Sequence, residues 1–197
     1  MRTFIAIELS DEIKDALDRI ESHLKYSGAD VKWVAKDNIH LTLKFLGEVD
    51  EKKCEKVKAA LDEIAKSTAS FKISLKDIGA FPKIEFPRVI WVGLDKGTKE
   101  STELAAKIDE ALSAIGFDRE TRPFAAHLTI GRVRSPKNKA ALAEKVTSHK
   151  PVRSEAEPPR RGQVTSSQAI SLITLFQSKL TPTGPIYTKL HEAKFVG

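Results

Sequence analysis

Two copies of a short phrase carry the side chains of this sequence that are best suited to chemistry. The first is His40-Leu41-Thr42-Leu43, and the second, 87 residues later, is His127-Leu128-Thr129-Ile130. In a β-strand alternate side chains share a face, so each phrase predicts a histidine and a threonine side by side, with two aliphatic residues behind them. We interpret the two phrases as the two halves of one site.

Two histidines and two threonines have the chemistry to hydrolyse a phosphodiester. The unperturbed pKa of histidine lies near neutrality, so one neutral imidazole accepts a proton while a protonated one donates a proton. The threonine hydroxyls donate hydrogen bonds to the phosphoryl oxygens. A zinc site is not indicated, because Cys54 is the single cysteine and no His-x-x-x-His pattern occurs. We predict no metal and no other cofactor, and four catalytic residues: His40, Thr42, His127 and Thr129.

The segments before the two phrases are also alike. Each phrase follows a helical stretch and, before it, a strand-like run, which is Phe4 to Leu9 in one half and Val89 to Leu94 in the other. The spacing predicts an internal duplication. We expect a single α+β domain over residues 1–197, with two pseudo-symmetric lobes centred on residues 4–47 and 89–133. Two antiparallel-type sheets and outer helices should flank a central cleft.

Capping residues and turn signals predict the boundaries of several other elements. Ser10 and Asp50 each precede a stretch with one apolar side chain per turn, and Ser135-Pro136 predicts the start of a short helix. Two strands, about Ala169 to Leu180 and Ile186 to Phe195, are expected to close the chain.

Composition and charge indicate where the protein is located and what it binds. The chain is 41% hydrophobic and 30% charged, without an apolar run of membrane-spanning length or a signal peptide, so we expect a cytoplasmic protein with no membrane partner. Residues 132–161 hold nine Lys or Arg and three Glu, which accounts for the whole net charge of +6. A basic surface of this kind suits RNA. The alternative is a solvated, partly disordered insertion, which we favour for residues 157–162 alone.

The sequence resembles the RNA 2′,3′-cyclic phosphodiesterases of the two-histidine phosphoesterase superfamily, whose small prokaryotic members were first named 2′-5′ RNA ligases. The resemblance extends over nearly the whole chain. Besides the two phrases it rests on Val31-Lys32-Trp33-Val34, Lys44-Phe45-Leu46-Gly47, Arg132 and the stretch from Ser178 to Tyr187.

The resemblance implies a bilobal α+β fold with a water-filled cleft. It implies hydrolysis of RNA 2′,3′-cyclic phosphate ends to 2′-phosphates, with a weak reverse 2′-5′ RNA ligation. In such enzymes the first histidine is usually the acid and the second the base, which assigns these roles to His40 and His127. The implied substrates are RNA with 2′,3′-cyclic phosphate ends, tRNA fragments among them, and small cyclic nucleotides. We expect a monomer.

Four further residues are expected to bind substrate: Arg132, Lys44, Phe124 and Tyr187. In a regular strand Lys44 shares the face of His40 and Thr42, although a solvated lysine at a strand edge is an equal alternative. Arg132 matches an arginine of the family. It follows His127 at an odd separation, so a regular strand turns it away from the phosphate unless Gly131 forms a bulge. Aromatic residues could stack a base or simply pack: Phe81, Phe124 and Tyr187.

The same residues are also compatible with two other functions. One is a noncatalytic module that binds RNA ends or nucleotides, and the other is ligation as the biological activity. Intact histidine and threonine in both halves favour an enzyme, because binding alone does not require an acid and a base. Ligation and hydrolysis share a transition state, so the residues do not separate them.

Overall fold

The structure is a computed structural model that describes residues 1–149, 167–182 and 184–196. Within these ranges it contains nine strands and four α-helices. In chain order they are β1 (Arg2–Glu8), α1 (Asp11–Lys25), β2 (Val31–Trp33), a 3-10 turn (Lys36–Asn38), β3 (His40–Glu48), α2 (Glu51–Lys66), β4 (Phe71–Phe81), β5 (Val89–Leu94), α3 (Thr98–Ser113), β6 (His127–Val133), α4 (Lys139–Ser148), β7 (Ser167–Ile170), β8 (Leu172–Thr181) and β9 (Gly184–Lys194).

The strands form two antiparallel sheets, as expected from the sequence. The first has the order β3-β1-β8-β9, and the second has the order β2-β6-β5-β4-β7. A main apolar core joins both sheets to the helices and includes Leu17, Leu61, Ile108 and Leu142, all fully buried. The fold is therefore of the predicted α+β class. No helix in the described ranges is both long enough and apolar enough to cross a membrane.

The capping residues of the first two helices lie where the sequence places them. The backbone N–H of Ile13 donates to Ser10 Oγ over 3.4 Å, and that of Lys53 donates to Asp50 Oδ1 over 2.7 Å. Each bond satisfies one of the free N–H groups in a first helical turn. Cys54 is buried on the apolar face of α2.

The predicted start of α4 is wrong by one turn. The helix begins at Lys139 and not at Ser135-Pro136, because Asn138 has a left-handed φ of 53°, which interrupts a helix. Ser135 caps a local turn instead, where its hydroxyl accepts from the N–H of Lys137 over 3.4 Å.

The first of the two predicted closing strands is also wrong, since it consists of two strands in different sheets. β7 pairs with β4 in the second sheet, whereas β8 pairs with β1 in the first, and the chain passes between the sheets at Ser171. Both strands bury aliphatic side chains, so the sequence pattern does not reveal which sheet each one joins.

The two halves of the chain exchange strands. β4 follows α2 in the first half yet pairs with β5 of the second half. In the same way β8 follows α4 in the second half yet pairs with β1 of the first. Within the described ranges each sheet therefore contains two strands from the other half: β8 and β9 join the first sheet, and β2 and β4 join the second.

Candidate active site

The two phrases occupy equivalent places in the two sheets. His40 opens β3 opposite Glu8 of β1, and His127 opens β6 opposite Gly93 of β5. In both strands the leucine after the histidine is buried in the main core, while histidine and threonine are partly exposed on the other face. β3 and β6 approach each other with Cα atoms within 8 Å, so the two phrases lie on neighbouring strands of the opposed sheets.

Each phrase ends in a β-bulge at the same position. Thr42 pairs with Ala6, but the next paired residue is Lys44, so Leu43 is the extra residue of β3. Thr129 pairs with Trp91, but the next paired residue is Gly131, so Ile130 is the extra residue of β6. An extra residue reverses the alternation of faces beyond it. The bulges therefore change which side chains follow His and Thr on the site face.

The bulge in β3 overturns the expectation that Lys44 lies beside His40 and Thr42. Lys44 is 4% exposed and points to the helix side, where its ammonium donates to Asp109 Oδ1 of α3 over 2.6 Å. It also donates to the carbonyl of Asp118 over 3.0 Å, while Asp109 Oδ1 accepts the N–H of Glu120 over 3.0 Å. This buried ion pair lowers the pKa of Asp109, chiefly through the hydrogen bond from Lys44. Lys44 thus holds the loop that leads towards His127.

The bulge in β6 has the opposite consequence for Arg132, which it returns to the face of His127 and Thr129. The extra residue is Ile130 and not Gly131, one position earlier than the sequence suggests. Gly131 lies on the reverse face, where a Cβ would meet Val31 Cγ1 at 2.7 Å and Trp33 Cε3 at 2.9 Å. A side chain at this position would collide with β2, so glycine allows β2 and β6 to pair.

The positive charge of Arg132 acts on Tyr187, although the two residues belong to different sheets. Burial raises the pKa of the Tyr187 phenol, and the positive charges of Arg132 and Arg2 act in the opposite direction. Tyr187 also meets the imidazole of His40 edge-on, with ring centroids 5.3 Å apart. Arg132 of the second sheet therefore lies within electrostatic range of the His40 half.

Both histidines are anchored by the same hydrogen bond. The Nδ1 of His40 lies 2.8 Å from the carbonyl of Asn38, and the Nδ1 of His127 lies 2.7 Å from the carbonyl of Ala125. A carbonyl oxygen only accepts, so each Nδ1 carries a proton and Nε2 is the nitrogen left to exchange one. Asn38 is itself held, since its side-chain amide donates to the carbonyl of Pro185 over 3.1 Å.

The surroundings of His40 are aromatic. Its ring stacks on Phe4 with centroids 4.7 Å apart, and Phe176 lies stacked 6.3 Å away. Burial among these rings lowers the pKa of His40 to about 4, and the bond to Asn38 offsets only part of this effect. His40 is therefore neutral at pH 7 in the ligand-free protein.

His127 has different neighbours. Phe81 meets its ring edge-on with centroids 5.1 Å apart, and Trp91 lies 6.5 Å away in a similar orientation. Phe124 is partly buried against the main core.

Several residues that shape this site carry no sequence signal that singles them out. Phe4 and Phe176 belong to strands whose sequence shows only an apolar pattern, and the sequence around Asn38 indicates only a turn.

Of the basic segment, residues 132–149 lie in the described ranges, whereas Arg160 and Arg161 lie outside them. Across the described residues no group of three or more His, Cys, Asp or Glu is placed to hold a metal ion.

Comparison with known proteins gives a family match in each half of the chain. The model of the LigT-like phosphoesterase family matches residues 7–91 and again residues 92–187. The chain therefore belongs to the LigT-like phosphoesterase family, and the two matches support the internal duplication.

Two relatives of nearly the same length share a name. A protein of Methanocaldococcus jannaschii named RNA 2′,3′-cyclic phosphodiesterase is 39% identical over 192 residues, which is 98% of this chain and 99% of the relative. One of the same name from Methanothermobacter thermautotrophicus is 33% identical over 190 residues, 96% of both chains. The crystal structure of E. coli LigT complexed with 3′-AMP superposes with a TM-score of 0.76 at 26% identity, covering 100% of this chain and 98% of that one.

Proposed function

We propose that this protein hydrolyses RNA 2′,3′-cyclic phosphate ends to 2′-phosphates, without a metal, through His40 and His127. The observation that carries the proposal is the identical anchoring of the two histidines on neighbouring strands. Each Nδ1–H is held by the carbonyl of the residue two positions earlier, which leaves both Nε2 atoms for proton transfer. The name shared by the full-length relatives supports the same substrate class.

The proposed reaction is an in-line displacement at phosphorus. His127 accepts a proton from a water molecule as the water oxygen forms a bond to phosphorus. The bond between phosphorus and the 3′ oxygen breaks, and the 3′ oxygen takes a proton from His40. The product is a 2′-phosphate and a free 3′ hydroxyl. One imidazole gains a proton and the other loses one, so a single turnover needs no external acid or base.

Thr42, Thr129 and Arg132 are the proposed donors to the phosphoryl oxygens. Both threonines share the face of their histidine, and the bulge in β6 brings Arg132 to that face. Hydrogen-bond donors placed where negative charge develops stabilise the transition state. An arginine adds a planar pair of donors that suits a phosphate.

The acid role of His40 requires that substrate binding change its protonation. Burial keeps the pKa of His40 near 4 in the free protein, so the ring is mostly neutral at pH 7. A phosphodiester anion bound against Nε2 favours the imidazolium by direct attraction. We infer that the substrate brings about the protonation of its own acid catalyst.

The same site would catalyse 2′-5′ ligation in reverse, because both directions pass through one transition state. A 5′-hydroxyl end would then take the place that water takes in hydrolysis. Water at high concentration favours hydrolysis. Tyr187 and Phe124 remain proposed substrate contacts, the first on the stronger ground that its ring adjoins His40.

One assay tests the function directly. The protein is incubated in excess chelator with an oligonucleotide that ends in a 2′,3′-cyclic phosphate, and the product end is identified by NMR or by enzymatic digestion. A 2′-phosphate is expected from the wild type, and none from the double variant His40→Ala/His127→Ala. Binding without turnover by the wild type would establish the noncatalytic module instead, and activity that needs a divalent ion would refute the two-histidine mechanism.

A further inference from the structure

A lysine lies directly opposite Arg132 in the second sheet. Lys32 of β2 and Arg132 of β6 are paired across two antiparallel strands, so their side chains leave the sheet on the same face. Both chain neighbours of Lys32 lie on the reverse face, where they would meet a Cβ at Gly131. Lys32 therefore lies on the face that carries the second histidine phrase, beside the arginine assigned to the reacting phosphate.

Within the described ranges these two cations have no acidic partner. Both side chains are exposed, and neither forms an ion pair or a side-chain hydrogen bond with another described residue. The adjoining residues Asp30 and Arg134, joined by a backbone hydrogen bond of 2.9 Å, add one charge of each sign. Like charges directly opposite each other destabilise a sheet. The pair of Lys32 and Arg132 is thus a place where a bound anion would remove an unfavourable repulsion.

The end of an RNA chain brings two phosphate groups to such a surface. One is the cyclic phosphate at which the reaction occurs, for which Arg132 is a proposed donor. The other is the phosphodiester that joins the terminal nucleotide to the rest of the chain, and a cyclic mononucleotide lacks it. Neighbouring strands lie about 4.8 Å apart, and the flexible stem of a lysine extends the reach of its ammonium group. Two cations side by side therefore match two successive phosphates of one strand.

We propose that Lys32 binds the phosphodiester that precedes the terminal nucleotide, and that the protein thereby favours RNA ends over cyclic mononucleotides. This inference rests on the proposed function and specifies the substrate class of the same site. Lys32 touches no reacting atom, so it contributes to binding and not to the chemical step. It recognises a charge of the RNA backbone, which is the same in every RNA sequence.

Three probes separate this contact from the contacts of the terminal nucleotide. The first is adenosine 2′-monophosphate, and the second is the dinucleotide adenylyl-adenosine with a terminal 2′-phosphate. The third is the same dinucleotide with an uncharged methylphosphonate in place of the phosphodiester. Calorimetry measures their dissociation constants for the wild type, Lys32→Gln, Lys32→Arg and the control Lys72→Gln. Lys72 is also an exposed strand lysine of the second sheet, but it lies on β4 beside β7, at the opposite side of the sheet.

Lys32→Gln should weaken the charged dinucleotide roughly 2- to 5-fold at low salt, the usual worth of an exposed ion pair. The mononucleotide and the methylphosphonate dinucleotide should bind as they do to the wild type, because neither carries the second charge. Lys32→Arg keeps the positive charge and should behave as the wild type, and Lys72→Gln should change none of the constants.

Three results would overturn the proposal. Unchanged binding of the charged dinucleotide to Lys32→Gln would mean that Lys32 only protects the edge of the sheet, where β2 lies. Equal weakening of all three probes would mean that it acts on the terminal phosphate or on the fold. Equal weakening of the two dinucleotides alone would mean that it does not act through the phosphate charge.

Salt dependence and stability provide two further measurements. Loss of one phosphate contact should reduce the slope of log binding constant against log salt by about 0.7 for a single strand, and an unchanged slope would contradict the contact. Lys32→Gln should not lower the free energy of unfolding, because it removes a repulsion from Arg132. These measurements need no turnover, so they succeed or fail separately from the hydrolysis assay.

Discussion

The imidazole of His40 stacks on the phenyl ring of Phe4, with centroids 4.7 Å apart and planes inclined by 27°. The corresponding histidine, His127, meets its nearest aromatic ring, Phe81, edge-on at 90°. The duplicated site is therefore chemically unequal, since stacking against a buried ring removes water from one face of His40. The two histidines therefore have different surroundings in a reaction that needs one acid and one base.

The first prediction concerns the protonation of His40. In the free protein its pKa should be about 4, because burial disfavours the imidazolium. The ring should thus be neutral above that pH and gain a proton only in more acidic solution. Binding of adenosine 2′-monophosphate should raise the pKa, so that the ring becomes more protonated at a fixed pH. Titration of the ring signals by NMR, assigned with His40→Asn, measures both values. A pKa of His40 that ligand binding leaves unchanged would contradict the inference that the bound substrate brings about the protonation of His40.

The second prediction separates acid from base through the leaving group. His40→Ala should lose on the order of 10² to 10⁴ in rate on a ribose cyclic phosphate and much less on a nitrophenyl phosphodiester, whose leaving group needs no proton. His127→Ala should be slow on both, because water still requires a base. Steady-state rates of both variants on both substrates provide the measurement, with product binding as a control for folding. Rescue of His127→Ala by the activated ester would reverse the assignment.

A third prediction concerns the ion pair behind the site. The side chains of Lys44 and Asp109 are 3% and 19% exposed. Lys44→Met should lower the free energy of unfolding by about 3 kcal/mol, because it leaves the Asp109 carboxylate without its charged partner. The matched control is Lys66→Met, which breaks a pair whose side chains are 68% and 73% exposed and should lower the free energy of unfolding far less, because solvent screens that pair. Urea denaturation measures both. Equal effects in the two variants would contradict the buried pair.

A fourth prediction follows from the crowding at Gly131. Gly131→Ala should destabilise the protein by about 1–3 kcal/mol, because the added Cβ meets Val31 and Trp33 on β2. Val31→Ala removes one of the two collisions, so the double variant should lose less than the sum of the two single losses. The comparison is made by urea denaturation of the three variants. Strict additivity would mean that β2 does not press on Gly131.

The fifth prediction concerns the basic segment, residues 132–161. Neutralising Lys137, Lys139, Arg160 and Arg161 together should weaken the binding of long RNA and flatten its salt dependence, because fewer counterions are released. Hydrolysis of small cyclic nucleotides should be unchanged. If the salt dependence of RNA binding is unaltered, the segment is instead a solvated surface that does not bind RNA.

The parts of the site that depend on local sequence rules can be predicted from the sequence. Two phrases of period two, each preceded by a strand and a helix, are sufficient to place His40 and His127 at matching strand starts. Ser10 and Asp50 cap their helices because the required hydrogen bonds lie within three residues of the cap.

Features that depend on long-range pairing are not visible in the same way. A single extra residue, Leu43, turns Lys44 away from His40, and nothing in the local pattern marks it. The stacking of Phe4 on His40 likewise depends on side-chain packing across β1 and β3, and Phe176 joins it only because β8 crosses to the first sheet. The periodicity of the sequence identifies the strands, whereas the packing of the whole core determines which strands lie side by side.

The exchange of β4 and β8 between the halves constrains how such a molecule can arise. A single ancestral repeat would leave an open sheet edge beside its β1 equivalent, and it would expose a strand with no sheet to join. Two copies that exchange this strand would pair both the open edge and the exposed strand, and such a pair is a strand-swapped homodimer. Fusion of the two genes would then preserve the architecture and release each copy to diverge. On this account the two phrases descend from one, and a symmetric ancestor would have held its ligand in either of two equivalent directions.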